Sequence, residues 1–358
     1  MHSNRTLLRL EALESRTTPN VGTIGGGGGN VQAYLSGGNL YIIGDNNDNV
    51  LALWNVGANA IRIEGAGTTI NGSSTALVFS LGTGKSVFIN LRGGDDTIVL
   101  GDNPGDGGSR SLAILGNLRI DLGDGDNTVG LENLFVRGTT TIRAGAGNDT
   151  VDIDTTPGGI PTFLKGNFTA TLGDGNNNVD GLTFGVGGNV SITTGTGDDQ
   201  INLTNATIAK NLLIAANDGD NVISITDSDV DGNITRISTG DGDDLITLAS
   251  SDFKRLFVLA GNGDNTVNVG LAGDGVTAVS VNVTTGDGDD TVNITDSDFT
   301  LASSVSTGDG DDTVNVSGSD FLGGLTADGG AGNDTFNGLA PGFGNTGLIT
   351  LLDFETTT

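Results

Sequence analysis

Acidic, glycine-rich turns are the residues of this chain that are best suited to binding chemistry. The stretch TGDGDDTVN occurs at 285–293 and again at 307–315, and GGAGNDTFN follows at 329–337. Each copy reads G-x-G-x-D-x-U, where U is a large apolar residue, and Gly286, Gly308 and Gly330 lie 22 residues apart. Glycine permits tight turns and aspartate supplies carboxylate oxygens. The spacing therefore predicts a stack of turns that bind cations.

The motif resembles the calcium-binding repeat of the hemolysin-type (RTX) proteins, because the last copy matches the full nonapeptide G-G-x-G-x-D-x-U-x. The resemblance implies Ca²⁺ as the cofactor and a bacterial cell-surface or extracellular setting. Two features depart from that family. The first glycine is usually lost, as Thr285 and Thr307 show, and the copies recur singly every 22 residues instead of back to back every nine. One motif per coil lines a single edge of the molecule.

The candidate calcium ligands are carboxylates at the second, fourth and fifth positions of the motif, counted from its first glycine. Stacked coils lie about 4.8 Å apart, and unit charges at that distance repel by about 1 kcal/mol in water. Calcium accepts six to eight carboxylate and carbonyl oxygens, so we expect one ion between the loops of neighbouring coils. The alternative is that Gly, Asn and Asp are turn formers on a solvated surface. The candidates are Asp96, Asp149, Asp198, Asp199, Asp241, Asp243, Asp244, Asp287, Asp289, Asp290, Asp309, Asp311, Asp312 and Asp334.

Composition narrows the range of partners. The formal net charge is −29, which argues against nucleic acid, since phosphate binding requires clustered Lys and Arg. The chain has no Cys and one His, which excludes Cys/His zinc sites. No apolar run approaches the length of a transmembrane segment. The expected partners are calcium ions, with glycans or other surface proteins as further candidates.

Phase-locked apolar columns predict the fold. Val292 and Val314 fall six residues after the first glycine of their motifs, and Ile294 and Val316 fall eight residues after it. Such alternation, repeated at the same phase in every coil, places each set in an inward column. We therefore predict an all-β fold, a single right-handed parallel β-helix (β-solenoid) with coils of about 22 residues and about 14 coils in all. One of these is a degenerate coil within the 48-residue gap between the motif copies at 44 and 92. Asparagines six or seven residues before a motif predict a side-chain ladder at a second bend; they are Asn117, Asn167, Asn189, Asn211 and Asn233.

The remaining segments differ from the repeats. Residues 1–24 form an N-terminal leader or tail without the apolar stretch of a secretory signal. Residues 25–30 form a glycine linker, 31–347 the parallel β-helix domain and 348–358 a C-terminal cap or tail.

Regular repetition favours a non-enzymatic calcium-binding solenoid with a structural or adhesive role. An active site requires an irregular acid, base or cation in a cleft. The alternative is a polysaccharide lyase or hydrolase on a parallel β-helix, with Arg119, Arg137 and Arg143 as the basic cluster to inspect. A third possibility is that outward-facing rows of Thr and Asn, with Thr291 and Asn293 among them, form a regular polar array that binds an ordered surface such as a glycan or ice.

Overall fold

Three parallel β-sheets, stacked coil upon coil, make up the described part of the chain. The computed structural model describes residues 28–101, 110–154, 159–338 and 347–357, and these contain strands but no helix. The protein is an all-β parallel solenoid of about 11 coils with about 22 residues per coil. The predicted fold class is confirmed, and the expected number of about 14 coils is too high. The predicted leader at 1–24 and residues 25–27 of the linker lie outside the described residues.

Each complete coil contributes one strand to each of the three sheets, and the sheets contain 15, 15 and 10 strands. In stacking order, the first sheet comprises Thr69–Ile70, Asn30–Ser36, Asn39–Ile43, Val87–Asn90, Leu118–Asp121, Thr140–Arg143, Phe168–Thr171, Val190–Thr193, Leu212–Ala215, Ile234–Ser238, Arg255–Leu259, Ser280–Thr284, Ser303–Ser306, Leu325–Asp328 and Ile349–Leu352. The second sheet comprises Leu77–Ser80, Ala60–Gly65, Val50–Gly57, Thr97–Leu100, Thr128–Glu132, Thr150–Asp154, Asn178–Leu182, Gln200–Thr204, Val222–Thr226, Leu245–Ala249, Thr266–Val269, Thr291–Thr295, Thr313–Ser317, Thr335–Asn337 and Thr356–Thr357. The third comprises Leu112–Ile114, Leu134–Val136, Thr162–Leu164, Phe184–Val186, Thr207–Ile208, Asp229–Val230, Ser251–Asp252, Val276–Ala278, Asp298–Phe299 and Asp320–Phe321.

The apolar columns fill the interior as the alternation predicts. Val292 pairs in parallel register with Val314, Ile294 pairs with Val316, and all four are buried. Thr291 and Asn293 alternate with them and lie on the outer face. Because each coil repeats the phase of the one before, a continuous hydrophobic core runs along the solenoid.

The N-terminal end departs from the repeat. Asn30–Ser36 pairs antiparallel with Asn39–Ile43, and Ala60–Gly65 folds back antiparallel on Val50–Gly57 and is followed by Leu77–Ser80. The prediction of a degenerate coil between the motif copies at 44 and 92 is therefore wrong, because antiparallel strands occupy this segment. At the other end, Ile349–Leu352 and Thr356–Thr357 continue the first two sheets in parallel.

The acidic motif forms the turn that joins each strand of the first sheet to the next strand of the second sheet. Its third position requires glycine. Gly310 has φ +148°, and a Cβ built there would lie 2.1 Å from the carbonyl oxygen of Gly288 in the preceding coil. Any larger residue would separate neighbouring coils at this turn.

The predicted asparagine ladder is confirmed for four of its five members, with the backbone as the donor; at Asn233 it is the backbone carbonyl that accepts, from Nε of Arg255. Oδ1 of Asn167 accepts the backbone N–H of Asn189 at 2.9 Å, and Oδ1 of Asn189 accepts that of Asn211 at 3.2 Å. Asn117 and Asn211 accept N–H groups from the following coil in the same way. The amide side chains thus continue the parallel hydrogen bonding through the bend.

Candidate metal site

The fifth motif position forms a buried column along the inside of the acidic turns. The backbone N–H of each residue in the column donates to the side-chain Oδ1 of its counterpart one coil further on, at 2.7–3.1 Å. The final residue, Asp334, donates to Oε2 of Glu355 at 2.7 Å. The members are Asn49 (the sixth residue of its copy, counted from Gly44), Asp96, Asn127, Asp149, Asn177, Asp199, Asn221, Asp244, Asn265, Asp290, Asp312 and Asp334, each at most 2% exposed.

The second and fourth positions form two further columns on the exposed side of the same turns. Oδ1 of Asp289 accepts the backbone N–H of Asp311 at 2.9 Å, and Oδ1 of Asp243 accepts that of Asp264 at 2.8 Å. These side chains accept from the following coil, whereas the fifth-position side chains accept from the preceding coil. Of the predicted ligands, the exposed columns contain Asp198, Asp241, Asp243, Asp287, Asp289, Asp309 and Asp311, and the buried column contains Asp96, Asp149, Asp199, Asp244, Asp290, Asp312 and Asp334.

The second oxygen of each aspartate in the buried column has no hydrogen-bond donor. Oδ2 is inaccessible to solvent and without a hydrogen-bond partner in Asp96, Asp149, Asp199, Asp244, Asp290, Asp312 and Asp334. Such an atom is costly to bury while it carries charge. A proton or a cation at each of these atoms would remove that cost.

The asparagines of the same column show what surrounds this position. Nδ2 of Asn265 donates to the carbonyl oxygens of Gly261 and Gly263, the first and third residues of its own turn, both at 2.9 Å. Asn127, Asn177 and Asn221 make the equivalent pair of bonds. Because Oδ1 accepts the equivalent backbone N–H in Asn and Asp turns, we infer that Oδ2 of the aspartates takes the place of Nδ2. A carboxylate oxygen therefore faces carbonyl oxygens.

Burial raises the pKa of these carboxyl groups. The pKa of Asp96 rises to about 7, and the pKa values of Asp149 and Asp290 rise to about 6, although hydrogen bonds from neighbouring asparagines oppose the rise. Burial also raises the pKa values of Asp199, Asp244, Asp312 and Asp334. The charged form is disfavoured wherever nothing compensates it.

Sequence reasoning missed a row of threonines directly before the motif. Thr194, Thr239, Thr285 and Thr307 lie beside Asp199, Asp244, Asp290 and Asp312, and each hydroxyl lowers the pKa of its aspartate against the effect of burial. The hydroxyls do not complete a hydrogen bond to Oδ2; that of Thr285 instead donates to the carbonyl oxygen of Thr307 at 2.8 Å. In the sequence these threonines were noticed only because they replace the first glycine of the nonapeptide motif.

The donor set fits calcium bound partly by the main chain. Within the described residues, no three Asp, Glu, His or Cys side chains lie close enough together to hold a metal ion. A cation at Oδ2 would instead combine one carboxylate with the carbonyl oxygens of the turn and, in four turns, a hydroxyl. Calcium accepts such mixed oxygen ligands and irregular geometry.

Comparison with known proteins gives one match. No protein-family model and no curated protein matches the chain. Among solved structures it resembles the crystal structure of a hyperactive, Ca²⁺-dependent, β-helical antifreeze protein from an Antarctic bacterium. The TM-score is 0.35 and the sequence identity 21%, over 71% of this chain and 79% of that chain. At this level of similarity the comparison assigns neither a family nor a function.

Proposed function

We propose that the chain is a non-enzymatic, calcium-binding structural β-solenoid with an adhesive role at the bacterial cell surface or in the extracellular space. The observation that carries the proposal is the buried Oδ2 of the fifth-position aspartates, which has no hydrogen-bond donor and which we place beside the carbonyl oxygens of the turn by analogy with Nδ2 of Asn265. A bound Ca²⁺ ion supplies the positive charge that these oxygens lack. The extracellular setting follows from the ion, since extracellular calcium modules work with dissociation constants in the range of about 0.1–1 mM.

Calcium is favoured over other divalent ions by the type of ligand. Magnesium requires near-ideal octahedral geometry and retains its water, whereas the buried turn offers oxygens fixed by the backbone. Zinc prefers nitrogen and sulfur ligands, and the chain has no Cys. The exposed second- and fourth-position carboxylates add negative potential around each turn and attract cations.

The distribution of charge supports a non-enzymatic role. Arg119, Arg137 and Arg143 are exposed, and Arg119 pairs with Asp121 at 3.5 Å on the outer face of the first sheet. A cavity of about 350 Å³ lies on the third sheet beside Phe163 and Phe184, and its lining contains no acid and no base. Neither place combines the groups that general acid–base catalysis requires. Among the residues that the structure describes, no helix is long and apolar enough to span a membrane.

Thermal unfolding tests the proposal. The full chain, stripped of metal with a chelator, is melted in excess EDTA and in 5 mM calcium or magnesium, with circular dichroism as the signal. Binding to the folded state contributes about 2.7 kcal/mol per site at a hundredfold excess over Kd. We expect calcium to raise the melting temperature well above that in EDTA and magnesium to raise it less. Equal melting temperatures in all three solutions would refute calcium binding.

A further inference from the structure

By the residue of the buried column that they contain, the acidic turns are of two kinds, Asn turns and Asp turns, and the two kinds alternate as far as Asp290. From Asn49 to Asp290 the buried column reads Asn and Asp in strict alternation, and Asp312 and Asp334 then follow Asp290 directly. The residue before the motif follows the same alternation over the central coils. It is Leu172, Ala216 or Ala260 where the fifth position is Asn177, Asn221 or Asn265, and Thr194, Thr239 or Thr285 where it is Asp199, Asp244 or Asp290.

Turns of the first kind are closed by their own amide. In the turn of Asn265, Nδ2 satisfies the carbonyl oxygens of Gly261 and Gly263, and the residue beside it is the buried methyl group of Ala260. The two carbonyl oxygens of this turn therefore have a partner, and its fifth residue carries no charge. Such a turn has no use for a cation.

Turns of the second kind collect oxygens at the same place. In the turn of Asp290, Oδ2 is buried without a hydrogen-bond donor, and the hydroxyl of the buried Thr285 lies beside the carboxylate. By comparison with the turn of Asn265, Oδ2 takes the place of the amide nitrogen. Thr307 and Asp312 repeat the arrangement one coil further on. A hydroxyl, a carboxylate and main-chain carbonyls are all ligands for calcium.

We propose that the Thr–Asp turns bind calcium on the inside of the turn, and that the Asn turns between them bind none because the asparagine amide takes the place of the ion. This inference rests on the proposed function and specifies its sites. Four turns carry the Thr–Asp pair, ending in Asp199, Asp244, Asp290 and Asp312. The exposed carboxylates, Asp243 and Asp289 among them, are not the primary ligands.

Two variants exchange the kinds of turn, and isothermal titration of the metal-free full chain with calcium counts the sites. Asp244→Asn converts a Thr–Asp turn to the amide-closed kind, so we expect one calcium ion fewer and a higher melting temperature in EDTA than for the parent. Ala260→Thr combined with Asn265→Asp makes the opposite conversion. We expect that double variant to bind one ion more and to melt lower in EDTA.

Asp243→Asn is the matched control. It removes the same charge from the neighbouring residue and keeps the Oδ1 that accepts the N–H of Asp264, so the number of bound ions should stay at the parent value. A parent chain that binds no calcium would overturn the proposed function and this inference together. A parent that binds calcium while Asp244→Asn and the double variant keep its stoichiometry would overturn the inference alone. If the double variant does not fold in EDTA, the stoichiometry of Asp244→Asn decides.

Discussion

The backbone N–H of Asp290 donates to Oδ1 of Asp312, 2.8 Å away in the next coil, so one buried carboxylate positions the next. Both side chains have a second oxygen without a donor. The same bond therefore orders the turn and brings two uncompensated carboxylates into adjacent coils. The stability of this part of the solenoid should depend on what neutralises them.

Removing either of these carboxylates should reduce the response to calcium. Asp290→Ala and Asp312→Ala each delete a proposed ligand, and a lost site removes about 2.7 kcal/mol of calcium-dependent stabilisation at a hundredfold excess over Kd. The measurement is the melting temperature in calcium minus that in EDTA, which cancels the loss of the ladder hydrogen bond. Asp298→Ala, on the exposed start of a third-sheet strand, should leave the difference unchanged. Equal reductions at all three positions would contradict the assignment.

In the absence of metal, stability should fall as the pH rises. Burial raises the folded-state pKa of Asp96 to about 7, so the folded protein holds a proton that the unfolded chain, with a pKa near 3.8, releases. The fold then loses stability between about pH 4 and pH 7 and changes little above. Melting in EDTA from pH 5 to pH 8 measures the loss, and Asp96→Asn should reduce it. An unchanged slope in that variant would show that other groups control the pH dependence.

Without calcium, the C-terminal coils should open first. Asp290, Asp312 and Asp334 lie in successive coils, about 4.8 Å apart, where unit charges repel by about 1 kcal/mol in water. Asp149, Asp199 and Asp244 are separated by asparagine turns, which doubles the distance and halves the repulsion. Hydrogen–deuterium exchange in EDTA should therefore be faster in the strands from Thr291 to Asn337 than in those from Thr150 to Thr226, and calcium should remove the difference. Uniform exchange along the solenoid would argue against this ordering.

Stacked phenylalanines should contribute most to the packing of the third sheet. Phe299 is buried and its ring lies 5.0 Å from that of Phe321 in the next coil. Phe299→Ala should destabilise the fold by about 3–5 kcal/mol through the cavity it leaves. Urea unfolding in calcium measures the change. Leu301→Ala, at a side chain that is 58% exposed, should change stability by less than about 0.5 kcal/mol.

The coils could be predicted because apolar residues alternate with polar ones at the period with which a strand buries one face, and because this alternation has the same phase in each coil. Val292 and Val314 had to point inward together once their phase was equal, and Asn167 and Asn189 had to meet at the same bend. The antiparallel strands near Trp54 were missed, because alternation of apolar residues is the same in parallel and antiparallel pairing. The segment of the strand Ala60–Gly65 was therefore predicted to belong to a degenerate coil.

The candidate site was predicted in location and only partly in detail. The spacing of glycines placed Asp290 and Asp312 in stacked turns, but charge alone did not distinguish the buried Asp290 from the exposed Asp289 next to it. That difference arises because Oδ1 of Asp290 accepts the N–H of Asn265 in the preceding coil, which draws the side chain inside the turn. The role of Thr285 depends on that orientation, and the sequence showed it only as a departure from the family motif.

The alternation of Asn and Asp turns sets how the molecule can grow or shorten. Insertion of a single coil between Asp199 and Asp244 would bring two like turns together, whereas insertion of two coils would preserve the order. The Asn–Asp pattern therefore repeats every two coils, about 44 residues, although the hydrogen bonding between strands repeats every coil. Duplications in multiples of that pair would lengthen the rod without altering its ionic composition per unit length.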